Sequence, residues 1–279
     1  MVVSIKTNSS ALTALLQLNA INRDMDEIQD RVATGYKINS AKDDAGLYAV
    51  AQKQRSDLSG YNSVRQSVQR GSNILDVSIG AMESISNLLV DMKAKAVQAA
   101  DPSLSASSRA LIDADYQAYV AQIATMIDAA TFDGFNLINK NPPVPATDDL
   151  RVLSEPTANP ALSINIAAIN VKAATTAVLG NVSTLVGAQT EVTSLSTMLQ
   201  TVNSQLATLG GASLRLSSHE SFVIKFQDSL TIGIGNLVDA DLGRESARLT
   251  AVQIQQQLST QSLQIANSRP QQILALFKS

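Results

Sequence analysis

The residues able to do chemistry are few, and each stands in the wrong company. His219 is the sole histidine. It opens the run His219-Glu220-Ser221-Phe222-Val223, where a zinc-protease helix needs a second histidine at the place of Val223. With no cysteine anywhere, a zinc site would rest almost wholly on carboxylates, which is a poor donor set for that metal. Two close acidic pairs are Asp43-Asp44 and Asp239 with Asp241. Paired carboxylates do acid–base work when burial drives their pKa values apart, but charges at helix starts explain both pairs more simply. Gly233-Ile234-Gly235 lacks the strand before it and the rest of a dinucleotide fingerprint. It is expected to bend the chain between helices. No catalytic, cofactor-binding or metal-ligating set is assigned, and no cofactor is expected.

The elements that would have to position such groups read as helices. Six of the seven prolines lie between Pro102 and Pro160, and the seventh is Pro270. Proline inside a helix costs about 3 kcal/mol, so two long arms are free to be helical. In the first arm Ala11, Ala14, Leu18, Ile21, Met25, Ile28 and Val32 recur at alternating steps of three and four. Leu75, Met82, Ile85, Leu89, Met92 and Ala96 keep that rhythm, with Ser78 interrupting it. Such a seam belongs to helices packed along one another. Gly35 is placed to close one helix, and Ser40 to cap the next with Asp43 and Asp44 in its first turn. A helix over 45–99 would be about 80 Å long.

A third helix is expected over 105–130 with Leu111, Tyr116, Val120, Ile123 and Ile127 on its face, followed by a turn at Asp133-Gly134. Leu150, Val152 and Leu153, then Leu162, Ile164 and Ile166, fit two short strands of a β-hairpin. Val192, Leu195, Leu199, Val202, Leu206 and Leu209 return to the helical step and run into Gly210-Gly211, where the helix is expected to end. A last helix over 239–277 carries Leu242, Leu249, Val252, Ile254, Leu258 and Ile265. The fold class expected is mainly α: a long antiparallel helical bundle or coiled coil with a small central β-hairpin, around residues 137–180.

Charge decides what kind of surface this is. Net charge is −3 and the signs are mixed, so neither nucleic acid nor a membrane surface is expected as partner. Only 16% of residues are charged, against about 25% in ordinary proteins. The deficit is concentrated at the ends: neither Thr7–Asn22 nor Leu249–Ser268 contains a charge, although the latter holds Gln253, Gln255, Gln256, Gln257, Gln261 and Gln264. A solvated helix carries Lys and Glu outside, and a membrane span cannot carry so many amides. The reading that fits is a helix covered by protein on most sides, which points towards self-assembly; a neutral surface helix is the alternative. The expected assembly seam is Leu18, Ile21, Met25 and Ile28 with Leu249, Val252, Leu258 and Ile265.

These residues also carry a family likeness. Ile5-Lys6-Thr7-Asn8, Leu18-Asn19-Ala20-Ile21-Asn22 and the long stretch Arg31-Val32-Ala33-Thr34-Gly35-Tyr36-Lys37-Ile38-Asn39-Ser40-Ala41-Lys42-Asp43-Asp44-Ala45-Gly46-Leu47 resemble the N-terminal signature of bacterial flagellins. Asp239-Ala240-Asp241, Glu245-Ser246-Ala247, Ala266-Asn267 and Pro270-Gln271 resemble the C-terminal one. Gly235-Asn236-Leu237-Val238 is similar to the alphaproteobacterial type. The resemblance implies a non-enzymatic subunit that polymerises into the flagellar filament used for swimming. Residues 1–40 and 236–279 would form an inner terminal coiled-coil domain, and 41–235 a rod domain. It is the short form, since 141–188 leaves no room for outer domains. The implied partners are other copies, an export chaperone, the type III export apparatus, the filament cap and the hook–filament junction proteins. The implied location is the extracellular filament, reached without a cleavable signal peptide. A junction protein sharing the terminal helices is the alternative.

Overall fold

The computed structural model describes residues 8–140, 149–157 and 162–276. In chain order the elements are α1 (Ser9–Thr34), α2 (Ala45–Ala99), α3 (Ala106–Ala129), β1 (Leu150–Val152), β2 (Ile164–Ile166), α4 (Val171–Val178), α5 (Leu185–Val238) and α6 (Leu242–Leu276). This is the expected helical bundle with one antiparallel hairpin. The residues group into two compact units, Met1–Ser56 with Ser229–Ser279, and Asp57–Asp228.

In the first unit α1 and α6 lie antiparallel. Asn8 Nδ2 donates to the Ala266 carbonyl at 2.8 Å, Gln256 Nε2 to Asn22 Oδ1 at 2.8 Å, and Arg31 pairs with Glu245 at 3.7 Å, so each advance along one helix is a retreat along the other. The inward positions of α1 are Ala11, Ala14, Leu18, Ile21, Met25, Ile28 and Val32, the expected seam. Those of α6 are Glu245, Leu249, Val252, Gln256, Ser259, Leu263 and Ala266, again in steps of four and three. Asn8 caps α1, its Oδ1 accepting from the Ala11 N–H, and Gly35 closes it in the left-handed region (φ 73°) with its N–H on the Arg31 carbonyl.

The segments that follow α1 and precede α6 hold each other by backbone bonds. Lys37 N–H donates to the Val238 carbonyl at 2.7 Å, and Ala240 N–H to that of Gly35 at 2.8 Å. Here the expected cap is corrected. Ser40 lies four residues too early. Asp44 begins α2, its Oδ1 accepting from Gly46 and Leu47 N–H, both at 2.9 Å. Asp43 instead ties the preceding loop, accepting from the N–H groups of Asn39 and Ser40. Those backbone bonds hold its carboxyl below the usual range.

The second unit is built on α2 and α5. Three side-chain pairs, Asn62–Gln227, Gln69–Glu220 and Ser86–Asn203, advance along one helix as they retreat along the other, which fixes an antiparallel register. Leu75, Met82, Ile85, Leu89, Met92 and Ala96 are all buried, with Leu195, Val202 and Leu209 from α5 and Tyr116, Ile123 and Ile127 from α3. Leu111 departs from expectation: it is exposed, and Arg109 is the buried residue of that turn. Arg109 Nε donates to the Ala99 carbonyl at 2.8 Å and Nη2 to that of Asp101 at 3.0 Å, satisfying carbonyls at the end of α2.

The turn after α3 is as read. Phe132 and Phe135 exchange two backbone bonds of 2.9 Å around Asp133 (φ 52°) and Gly134 (φ 81°). In the hairpin Leu150 faces Ile166 and Val152 faces Ile164. Leu153 and Leu162 fall outside the strands. Leu153 donates its N–H to Ser67 Oγ on α2 at 3.1 Å.

Two further expectations are corrected. Gly210-Gly211 do not end the helix and Gly233-Ile234-Gly235 do not separate two helices, for α5 runs unbroken through both. A glycine costs a helix interior only about 1 kcal/mol. Burial of Leu209, Ala212 and Leu216 on the same helix outweighs that.

Candidate functional site

The groups that could have done chemistry have structural tasks. Asp44 and Asp241 cap helices, Asp241 Oδ1 accepting from the Arg244 N–H at 3.1 Å. Asp239 pairs through its backbone with Tyr36. His219 places Nε2 3.1 Å from the Ser154 carbonyl, against the loop that leaves β1. Among the described residues no group of acidic or histidine side chains could hold a metal ion, and no helix is long and apolar enough to cross a membrane.

The surface that stands out is the outside of the α1–α6 pair. Leu18, Ile21, Met25 and Ile28 on α1, and Leu249 and Val252 on α6, face the opposite helix and are half-buried or buried. Leu258 and Ile265 face outward and are 57% and 61% exposed. They share the α6 exterior with Ile254, while α1 exposes Leu12 (61%), Leu15 and Leu16 (64%). The periodicity that located the inner seam misses Leu12, Leu15 and Leu16, because an α-helix has one partner-facing stripe and these lie off it. The signal that could have found them was the absence of charge around them.

Along one side of the pair runs an open groove of about 600 Å³, lined by Thr13, Ala14, Gln17, Ile21, Leu258 and Ser259 among others. Its wall contains hydroxyls, amides and alkyl groups and no charge. Such a wall can be dehydrated by another protein at little electrostatic cost, since no ion must be stripped of water.

In the second unit a buried polar pair fixes the bundle. Tyr116, fully buried, donates its hydroxyl to Glu191 Oε2 at 2.9 Å. The other carboxylate oxygen accepts the Gly180 N–H at 2.9 Å. Burial, then the charge of Glu191, pushes the Tyr116 hydroxyl far above the ordinary tyrosine value, so it stays a donor.

Comparison with known proteins identifies the family. The model described as the bacterial flagellin N-terminal helical region matches residues 5–142, and that of the bacterial flagellin C-terminal helical region matches 192–277. The chain belongs to the bacterial flagellin family. Flagellin FljO of Caulobacter vibrioides is 38% identical over 275 residues, covering 99% of this chain and 98% of that one. A flagellin of Brucella melitensis is 36% identical over 287 residues, covering 99% of each. Both are matched nearly end to end, so this flagellin shares their short form. The crystal structure of Bacillus cereus flagellin superposes with a TM-score of 0.51 at 27% identity, over 56% of this chain and 88% of that one. A putative flagellar hook-associated protein of Vibrio parahaemolyticus superposes with a TM-score of 0.58 over 71% of this chain and all of that one. At 13% identity that is a likeness of fold alone.

Proposed function

We propose that the chain is the repeating subunit of a flagellar filament and that α1 and α6 carry its principal contacts between copies. One observation supports this reading above the others. The α1–α6 pair covers one stripe of each helix and leaves Leu12, Leu15, Leu16, Ile254, Leu258 and Ile265 in water on surfaces without charge. A neighbouring copy presents the same kind of surface, and burying a leucine or isoleucine contributes about 1.5–3 kcal/mol relative to exposure. The eight seam residues then divide their work. Leu18, Ile21, Met25, Ile28, Leu249 and Val252 hold the pair together, and Leu258 and Ile265 join it to the next copy.

In this reading residues 1–40 and 236–279 are the inner terminal domain of the filament subunit, and 41–235 are its rod domain. The filament lies outside the cell. An export chaperone is the partner that keeps α6 from premature association, the type III apparatus carries the chain out, and cap and junction proteins meet the two ends of the polymer. The exposed apolar face of α6 supports a need for the first of these, since contiguous exposed apolar surface invites association. Electron microscopy of purified protein, concentrated and seeded with filament fragments, tests the reading. Long filaments are expected, and rings or short oligomers alone would favour the junction protein instead.

A further inference from the structure

Arg31 stands between two carboxylates. On its own helix it pairs with Glu27, one turn back, and across the α1–α6 seam its Nη1 lies 3.7 Å from Glu245 Oε1. The first contact is close, and the second is too long for a hydrogen bond. The two acids differ in surroundings. The Glu27 side chain is 59% exposed and borders a polar pocket of about 280 Å³, whereas that of Glu245 is 12% exposed. Glu245 Oε2 is buried without a hydrogen-bond partner among the described residues.

The guanidinium therefore sits on the acid that needs it less. An ion pair in water adds little to stability. A carboxylate taken out of water requires hydrogen bonds on both oxygens, and one left bare is costly. Arginine is suited to supply them, since two parallel N–H groups of its planar fork match the two oxygens of one carboxylate. Among the described residues no other cation pairs with Glu245. Its neighbours on α6, Arg244 and Arg248, are exposed.

We propose that Glu27 restrains the α1–α6 pair by holding Arg31 off Glu245, and that the seam tightens when Arg31 leaves Glu27 and closes on both oxygens of Glu245. The move is small, because Nη1 at 3.7 Å stands only about 0.8 Å beyond a charge-assisted hydrogen bond. Arg31 and Glu245 are then positioning residues of the seam, and Glu27 sets how firmly it closes. That a firmer pair assembles at lower concentration rests on the function proposed above.

Amide hydrogen exchange on the monomeric full chain, Glu27→Gln against wild type, tests the restraint without any filament. Deleting a stabilising ion pair speeds exchange. Here the amides of 21–32 and 245–256 are expected to exchange about fivefold more slowly, a ratio equivalent to about 1 kcal/mol. Two controls isolate the cause. Asp26→Asn removes the same charge from the same turn of α1 but forms no ion pair with Arg31, and it should leave exchange unchanged. In a Glu245→Gln background the slowing by Glu27→Gln should vanish, because no second carboxylate awaits Arg31. Unchanged or faster exchange in Glu27→Gln overturns the proposal. So does equal slowing by Asp26→Asn, or slowing that survives Glu245→Gln. In seeded polymerisation Glu27→Gln should also lower the critical concentration. A wild type that forms no filaments counts against the proposed function alone and leaves the exchange comparison standing.

Discussion

Leu258→Asp separates folding from assembly. In the isolated subunit Leu258 is 57% exposed, on the rim of the uncharged groove. Replacing a side chain already in water changes stability by no more than about 0.5 kcal/mol. On the proposed reading the still-exposed part of that leucine becomes buried in a filament, worth roughly 1–1.5 kcal/mol at the usual area coefficient. Aspartate forfeits this and adds the cost of burying a carboxylate, several kcal/mol even after relaxation, because no cation lies between Leu249 and Ser268. A loss of about 3 kcal/mol or more raises the critical concentration by at least about 100-fold. Seeded polymerisation followed by sedimentation reads that concentration, and circular dichroism melts of the monomer read the fold. Leu18→Asp is the contrasting variant. Leu18 faces α6, so that change is expected to lower helix content at the ends as well as assembly. A critical concentration for Leu258→Asp within threefold of wild type would refute the reasoning.

Gly71→Ala is expected to destabilise the second unit by about 1–3 kcal/mol, since its Cβ would stand 2.5 Å from Val152 and 3.3 Å from Leu216. Faster exchange at 150–152 and 164–166 would locate the damage in the hairpin. Tyr116→Phe removes a hydrogen bond to a buried carboxylate and should cost about 1.5–3 kcal/mol by urea unfolding. In a double-mutant cycle with Glu191→Gln, additive effects would show that the two side chains act independently. Asp149 accepts from the Ala168 N–H, then from Lys140 and Asn165, and its carboxyl is held below the ordinary 3.8. A depressed folded value means the unfolded chain binds the proton first. The stabilisation is therefore full above about pH 4 and is lost as pH falls through the lower folded value. Melting temperature should drop on acidification below pH 4, less steeply in Asp149→Asn, and an unchanged slope in that variant would remove Asp149 from the account. Asp43 and Asp101 shift in the same direction and steepen the wild-type profile.

The long helices were legible because a single physical signal, the alternation of three and four, persists over many turns and averages out exceptions such as Ser78. Short elements lack that averaging. α4 went unread: it has eight residues, valine and threonine lower its propensity, and its start rests on one local bond from Ala173 N–H to Asn170 Oδ1 at 2.8 Å. Arg109 was unreadable for a different cause, since its burial depends on carbonyls at the end of another helix. The glycines misled in the opposite direction. Gly210-Gly211 and Gly233 are breakers by local preference, yet the tertiary core keeps α5 whole.

The proposed assembly surface shows where periodicity stops being informative. A repeat of three and four tells which residues share a stripe, but not whether the stripe is covered from within the chain or from outside it. Leu18 and Leu258 look alike in sequence, each on a charge-free helix at a helical step. One faces its own partner helix and the other faces water. The distinction lies in which face each of α1 and α6 turns to the other, which the bonds at Asn8, Asn22 and Arg31 fix at three points along the pair. What sequence does supply is composition around the stripe. A surface meant for water is ionised, and Leu249–Ser268 is not. If that argument is right, introducing charge on the outward face of α6, at Gln257→Lys and Gln261→Glu, should solubilise the monomer and block assembly as Leu258→Asp does. The melt of the monomer should be unmoved. Filaments of wild-type yield from that double variant would mean the outer face of α6 stays in water in the polymer.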